Sequence, residues 1–452
     1  MNTSGRSIED SPLSGFHRRL LAATAGGMLC DGYVLGGIGV ALAMAGPDLG
    51  LSSWWTGSIG AAALAGIFLG SLVVGRITDR LGRRRLFTLD LVLLLVACLA
   101  QLVVTDATQL LVVRLVIGLA VGAEYAIGTA LLSEFSPRRA RPALLGALNA
   151  AWVVGFVLAY LVSTALRSAG ASWQVVLASS AVPVAVVLAL RWGLPESPRW
   201  LITHGRTEEA LAVVQRHVGP EYGVDDLVVE RREDGGQYRE LFSRRYRTRT
   251  AFAGIFWMCQ VVPLFALTIF LPQALGAVGV QDEFTGSLLV NGALLVGSVA
   301  GLWAAARLPR RGWLIWSFLL TAATLAVVGW AGVLPIAVTL TAFVLFVLIS
   351  SAASDMEYVV PGEVFPTHLR GSGVGLAAAT SRIGSAASTF LLPPALAAWG
   401  AGPTMAALCG VALVGAAVSF AWAPETSSLS LTEAAGTPGP TAGDAAAQQV
   451  SR

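Results

Sequence analysis

The same short pattern occurs twice in this chain, at residues 134–141 (EFSPRRAR) and at residues 363–370 (EVFPTHLR). Both copies read Glu-x-x-Pro-x-x-x-Arg, and they start 363 − 134 = 229 residues apart. A second pair of segments, 195–197 (PES) and 424–426 (PET), has the same spacing of 424 − 195 = 229. Two different motifs that share one offset indicate an internal duplication, so the sequence predicts two similar halves.

The sequence around these motifs is strongly hydrophobic. Of its 452 residues, 55% are hydrophobic and only 13% are charged, whereas soluble domains contain about 25% charged residues. Several runs contain no charge at all, among them 142–166, 168–190 and 284–306. A membrane-spanning helix needs about 20 apolar residues. The predicted fold is an all-α membrane protein with twelve transmembrane helices in two pseudo-symmetric six-helix bundles.

Helix bounds follow from the apolar runs and their charged breaks. The predicted helices lie near 18–43, 54–76, 86–105, 108–134, 143–166, 171–193, 250–274, 284–306, 312–332, 335–360, 371–394 and 403–423. The predicted organisation is a disordered N-terminus (1–16), an N-terminal six-helix bundle (17–193), a cytoplasmic linker with short helices (194–248), a C-terminal six-helix bundle (249–425) and a disordered tail (426–452).

The basic residues are concentrated in the even-numbered loops. Clusters of Arg occur at 80–85, 138–141 and 307–311. In the first, third and seventh loops, by contrast, all charged residues are acidic. By the positive-inside rule, the Arg-rich loops and both termini are cytoplasmic, in an inner membrane. Since topology accounts for these clusters, the sequence does not indicate nucleic-acid binding. Residue spacing suggests no metal site, and we expect no cofactor.

The segment 75–84 (GRITDRLGRR) resembles the G-x-x-x-D-R-x-G-R-R signature of the major facilitator superfamily. The segment 195–201 (PESPRWL) and the two Glu-x-x-Pro-x-x-x-Arg copies resemble the sugar porters and metabolite–proton symporters of that superfamily. The resemblance implies a charged gate on the cytoplasmic side that closes in one state and opens in the other. Its predicted residues are Gly75, Asp79, Arg80, Gly82, Arg83, Glu134, Arg141, Glu196, Arg199, Glu363 and Arg370.

Charges inside predicted spans are energetically expensive and usually functional. The predicted proton-coupling and central residues are Asp31, Arg114, Glu124, Asp355, Glu357 and Arg382. The simplest pairing places Asp31 or Glu124 beside Arg114, and Asp355 or Glu357 beside Arg382. Four acids then face two Arg, and such an excess of acid is what a proton-coupling site needs.

The segment 31–34 (DGYV) resembles the D-G-Y/F-D segment of aromatic-acid and nicotinate-type proton symporters, with Val34 in place of the second acid. In sugar porters the proton-linked acid of the first helix also aligns with Val34, so Asp31 is the candidate substitute. Gln260 is 229 residues after Asp31. Polar or amphipathic residues inside the spans are candidate solute contacts: Tyr33, Trp152, Trp257, Gln260 and Asn291.

These features favour a secondary active transporter, a proton-coupled symporter of a small organic solute such as an organic or aromatic acid or a sugar. Alternating access would move the halves about a central site. One alternative is a proton-coupled exporter of drugs or metabolites. Another is a transport-dead membrane sensor, since acids are missing at Val34 and Pro309. We expect no enzyme activity, and we expect the protein to function in the bilayer as a monomer.

Overall fold

The structure is a computed structural model that describes residues 11–137, 140–223, 237–280 and 282–425. The first half of the described chain contains α1 (Gly15–Gly36), α2 (Ile38–Leu49), α3 (Ser53–Leu81), α4 (Arg83–Ala100), α5 (Ala107–Phe135), α6 (Arg141–Ser168), α7 (Trp173–Ala178) and α8 (Ala181–Arg191). The described part of the charged segment contains three short helices, α9 (Pro198–Thr203), α10 (Thr207–His217) and α11 (Gln237–Leu241). The predicted tail at 426–452 and residues 1–10 of the predicted N-terminus lie outside the described residues.

The second half of the chain is also helical where it is described. Its helices are α12 (Arg247–Ile269), α13 (Leu271–Ala277), α14 (Glu283–Arg307), α15 (Arg310–Gly329), α16 (Ile336–Ser354), α17 (Met356–Val364), α18 (Thr367–Trp399) and α19 (Ala401–Trp422). Within the described residues, eleven helices are long and apolar enough to cross a membrane. The remaining predicted span, 371–394, lies in α18, where Ser, Thr and Arg382 lower the hydropathy.

The spans have one face toward lipid and another in the protein interior, as α8 illustrates. Val182 and Val186 are 68% and 57% exposed, and Leu190 one turn further is also exposed. Val184 and Arg191 on the other face are buried. Contiguous exposed apolar surface of this kind indicates contact with hydrocarbon.

Glycines allow the closest approaches between helices. A Cβ at Gly118 on α5 would collide with the Ala63 carbonyl of α3, and one at Gly66 would collide with the Leu115 carbonyl. Gly297 on α14 likewise lies against the backbone of α16. Small residues at such contacts let membrane helices pack through backbone and van der Waals interactions.

The chain divides into two compact units. The first comprises Met1–Arg232, Leu267–Ala274 and Thr389–Ala397, and the second comprises Glu233–Ala266, Leu275–Ser388 and Ala398–Arg452. The charged residues singled out from the sequence are distributed over both units.

Candidate functional site

A cluster of buried charges lies in the first unit, where α4, α5 and α8 pack together. The Arg191 guanidinium donates to the Glu124 carboxylate at 2.5 Å and to the Asp90 carboxylate at 3.2 Å. All three side chains are no more than 2% exposed. The guanidinium also stacks 3.4 Å from the centre of the Phe87 ring and donates to the Phe87 carbonyl. We name these residues the Arg191 cluster.

Helix α1 brings a third acid toward the Arg191 cluster. Asp31 is fully buried and lies within electrostatic range of the Arg191 guanidinium. Gly27, one turn before it, allows this approach, because a Cβ there would collide with the Glu124 carboxylate and with Arg191. Among the described residues, two acids therefore contact this guanidinium and a third interacts with it electrostatically.

Asp90 and Arg191 were not predicted from the sequence. Of the two acids proposed as partners of Arg114, Glu124 pairs with Arg191 instead. Asp90 and Arg191 lie close to the ends of their predicted helices, where charged residues are common and do not indicate a functional site. The available signal was the position of Asp90 on the buried face of α4. That face also contains Phe87 and Leu94.

Arg114 occupies a different place in the first unit. Its side chain is 1% exposed, and its Nη1 atom donates to the backbone carbonyl of Val34 at 3.0 Å. Its Nε and Nη2 atoms have no hydrogen-bond acceptor among the described residues. The structure thus places Arg114 against the first-helix position where an acid was expected from the family resemblance and Val34 stands instead.

A second region that combines acids with an Arg lies in the second unit. The Trp257 indole Nε1 donates to the Glu357 carboxylate at 2.7 Å, and both residues are buried. Arg382 lies within electrostatic range of Glu357, with its guanidinium 6.0 Å from the centre of the Phe265 ring. Asp355, two residues before Glu357 in the sequence, is half-buried. The structure thus brings Trp257, a predicted solute contact, to an acid.

The other predicted solute contacts of the second unit make hydrogen bonds to the backbone. Gln260 donates through Nε2 to the Ser350 carbonyl at 3.1 Å. Asn291 donates through Nδ2 to the Ser287 carbonyl at 2.9 Å within its own helix. Both side chains are buried, and each amide has a second N–H as well as its oxygen for a solute contact.

Two predicted solute contacts lie in the first unit. The Tyr33 hydroxyl is 3.0 Å from the Ser179 Oγ atom, which joins α1 to the end of α7. The Trp152 indole stacks on Phe156 with their ring centres 5.4 Å apart. Each residue therefore has a packing role inside the unit, and their contact with solute stays a prediction.

The gate residues of the first half form a network at the start of α4. Arg83 makes an ion pair with Glu134. The Glu196 carboxylate accepts the backbone N–H groups of Arg83 at 2.9 Å and of Arg84 at 3.1 Å. This carboxylate stabilises the helix start, whose free N–H groups carry partial positive charge. Gly82 precedes the helix with φ +89°, and a Cβ there would be 2.6 Å from Glu196.

The second half repeats this network at the start of α15. Arg310 pairs with Glu363 at 3.4 Å. The Glu425 carboxylate accepts the N–H groups of Arg310 at 3.0 Å and of Arg311 at 3.3 Å. Glu425 follows Glu196 by 425 − 196 = 229 residues, so the offset found in sequence recurs as equivalent contacts. Arg310 and Glu425 were absent from the predicted gate.

The remaining gate predictions are only partly described. Arg141 donates to the Ser136 carbonyl at 3.0 Å, Arg199 is exposed, and Arg370 is half-buried near the start of α18. Three further predicted gate residues lie in α3 at positions whose surroundings are outside the described part of the structure: Gly75, Asp79 and Arg80.

The helical fold, its spans and its buried charges define a membrane transporter of the major facilitator superfamily. The chain belongs to the sugar (and other) transporter family, whose model matches residues 18–436. It is 44% identical over 437 residues to the inner membrane metabolite transport protein YgcS of Escherichia coli strain K12, covering 96% of this chain and 97% of that protein. Members of this family are transporters, so the chain is a transporter and not an enzyme.

Two further comparisons extend this relationship. The chain is 27% identical over 403 residues to the niacin transporter NiaP of Acinetobacter baylyi, covering 85% of this chain and 88% of that one. Among solved structures, the partially occluded, inward-open xylose transporter XylE from E. coli has a TM-score of 0.78 at 18% identity. That match covers 92% of this chain and 100% of XylE, and it shows the same fold.

Proposed function

We propose that the chain is a proton-coupled symporter of a small organic solute. Secondary transport follows from the family, and the observation that supports proton coupling is the excess of acid at the Arg191 cluster. Glu124 and Asp90 contact one guanidinium, and Asp31 lies near it. One cation does not neutralise three carboxylates in a buried place, and like charges there disfavour simultaneous ionisation. The cluster is therefore suited to binding and releasing a proton.

Alternating access is supported by the paired gate networks. The Arg83–Glu134 and Arg310–Glu363 pairs are largely buried, with side chains 10–20% exposed, so the cost of desolvation offsets much of the attraction within each pair. Their value lies in the difference between two conformations, since a pair made in only one state shifts the population toward it. In this proposal both termini and both networks face the cytoplasm, the protein lies in an inner membrane, and it works as a monomer.

The solute belongs to the class of small organic acids or sugars. The name of NiaP gives niacin, a carboxylic acid, and the name of XylE gives xylose, a neutral sugar. The buried Arg114 and the half-buried Arg382 favour the acid. Tyr33, Trp152, Trp257, Gln260 and Asn291 remain the proposed polar and aromatic contacts. Export of a drug or metabolite by the same fold is the alternative, whereas membership of a transporter family disfavours a sensor that has lost transport.

Counterflow in proteoliposomes tests transport itself. Purified protein would first be screened against acids and sugars by thermal shift, and a stabilising compound would then be loaded into vesicles with a radiolabelled trace outside. Accumulation of label shows a transporter, whereas its absence for every stabilising compound favours the sensor.

Proton coupling is tested with Asp31→Asn and with Asp48→Asn, an exposed acid, as the matched control. We expect Asp31→Asn to lose uptake driven by a pH gradient while Asp48→Asn keeps it. Equal proton-driven uptake by Asp31→Asn and wild type at every pH would refute the role of Asp31.

A further inference from the structure

Helices α5 and α8 each contain a buried Arg, Arg114 and Arg191. Of these two, Arg114 contacts no acid in the described part of the chain. Arg191, in the same unit, makes ion pairs with Glu124 and Asp90. Arg114 is as deeply buried, at 1% exposed, yet its recorded hydrogen bond is to the neutral carbonyl of Val34. A guanidinium stays ionised in proteins, so burial does not remove this charge. A buried cation of this kind needs an anion to offset its desolvation.

The unused donors of Arg114 have a specific geometry. Nη1 donates to the Val34 carbonyl, whereas Nε and Nη2 have no acceptor among the described residues. These two N–H groups lie side by side on one edge of the guanidinium, where they fit the two oxygens of a carboxylate. Arg206 shows this fit in the same molecule, because its Nε and Nη2 donate to the two Glu209 oxygens at 2.7 and 2.6 Å.

We propose that Arg114 binds the carboxylate of the transported solute through Nε and Nη2. This inference rests on the proposed transport function and narrows the solute to small organic carboxylates. Among the described residues no acid contacts this edge, and Val34 stands where the family resemblance places a carboxylate. Arg114 lies seven residues into α5, about 10 Å along the helix at 1.5 Å per residue. That depth places the anchor inside the membrane-spanning region.

The first test needs no ligand. A structural Arg would stabilise the protein, whereas an Arg kept for an absent anion costs stability. We therefore expect purified Arg114→Gln to melt at or above the wild-type temperature, because the substitution removes a buried charge without an acid partner. A lower melting temperature for Arg114→Gln would overturn the proposal. This comparison of melting temperatures tests the proposal even when no probe compound binds.

The second test uses acids and their neutral amides as matched probes, such as nicotinate with nicotinamide and 4-hydroxybenzoate with 4-hydroxybenzamide. We expect an acid, but not its amide, to stabilise wild type. Arg114→Gln should weaken binding of that acid by at least about tenfold. Arg114→Lys keeps the charge but lacks the planar pair of donors, so it should also bind weakly. Equal stabilisation by acid and amide, or unchanged binding to Arg114→Gln, would overturn the proposal.

The third test introduces a carboxylate of the protein itself that competes with the solute for Arg114. Val34→Asp places a carboxylate on the residue whose carbonyl already contacts Arg114, and Val34→Asn is its uncharged match. We expect Val34→Asp to lose acid binding more than Val34→Asn does, and equal losses would count against an anion site. Counterflow of a neutral sugar, undiminished in Arg114→Gln, would defeat this inference while leaving the transport function intact. Absence of counterflow for every solute would defeat the transport function itself.

Discussion

Replacing Arg191 with Gln should severely destabilise the first unit. The guanidinium is 2.5 Å from Glu124 and 3.2 Å from Asp90, with all three side chains buried. At an effective dielectric constant of about 20, each contact is worth roughly 5–7 kcal/mol before desolvation is subtracted. Loss of one partner from a buried ion pair costs about 3–5 kcal/mol, because the remaining charge stays buried. Two carboxylates are stranded here, so we expect the upper part of that range.

Thermal unfolding of purified protein, followed by tryptophan fluorescence, measures this loss. We expect Arg191→Gln to be poorly folded or to melt far below wild type. The triple variant Asp90→Asn, Glu124→Gln, Arg191→Gln leaves no buried ion in these three positions and should recover most of the lost stability. An Arg191→Gln protein as stable as wild type would refute the reasoning, as would a triple variant no better than the single one.

Three further predictions concern the scaffold. Gly118→Ala should reduce the yield of monodisperse protein in size-exclusion chromatography because its Cβ meets the α3 backbone, while Gly146→Ala, at an open position, should not. Gly82→Ala should lower the melting temperature, since φ +89° is strained for alanine; an unchanged value would argue against that strain. Hydrogen bonds from Thr285 lower the pKa of Asp282 below its ordinary 3.8. The stabilisation that ionised Asp282 gives the folded protein is therefore present above pH 3.8 and is lost as the pH falls through the pKa of Asp282 in the folded state. Asp282→Asn should accordingly be less stable than wild type at neutral pH but not in strong acid.

The helices could be predicted because hydropathy and loop charge act locally along the chain. Most observed spans begin and end near the predicted bounds, as for 108–134 and α5 at Ala107–Phe135. The span predicted at 18–43 instead comprises two helices, α1 and α2, and extends to Leu49. The repeat was equally visible, since one offset relates Glu196 to Glu425 and both carboxylates bind the start of a helix.

The pairing of buried charges could not be predicted, because it depends on how the helices rotate and approach. Glu124 and Arg114 share α5, yet Glu124 faces Arg191 on α8 and Arg114 faces Val34 on α1. Gly27 determines how closely α1 approaches this cluster, and nothing in its local sequence distinguishes it from glycines at open positions.

The most direct test of the central claim is a simultaneous measurement of solute and proton flux. A pH-sensitive dye inside proteoliposomes reports protons, and a radiolabelled solute reports transport. We predict that wild type acidifies the lumen as it takes up solute, while Glu124→Gln keeps counterflow but loses solute-dependent acidification. The exposed control Glu208→Gln should behave as wild type. Unchanged acidification by Glu124→Gln, at an equal rate of solute uptake, would contradict proton coupling through the Arg191 cluster.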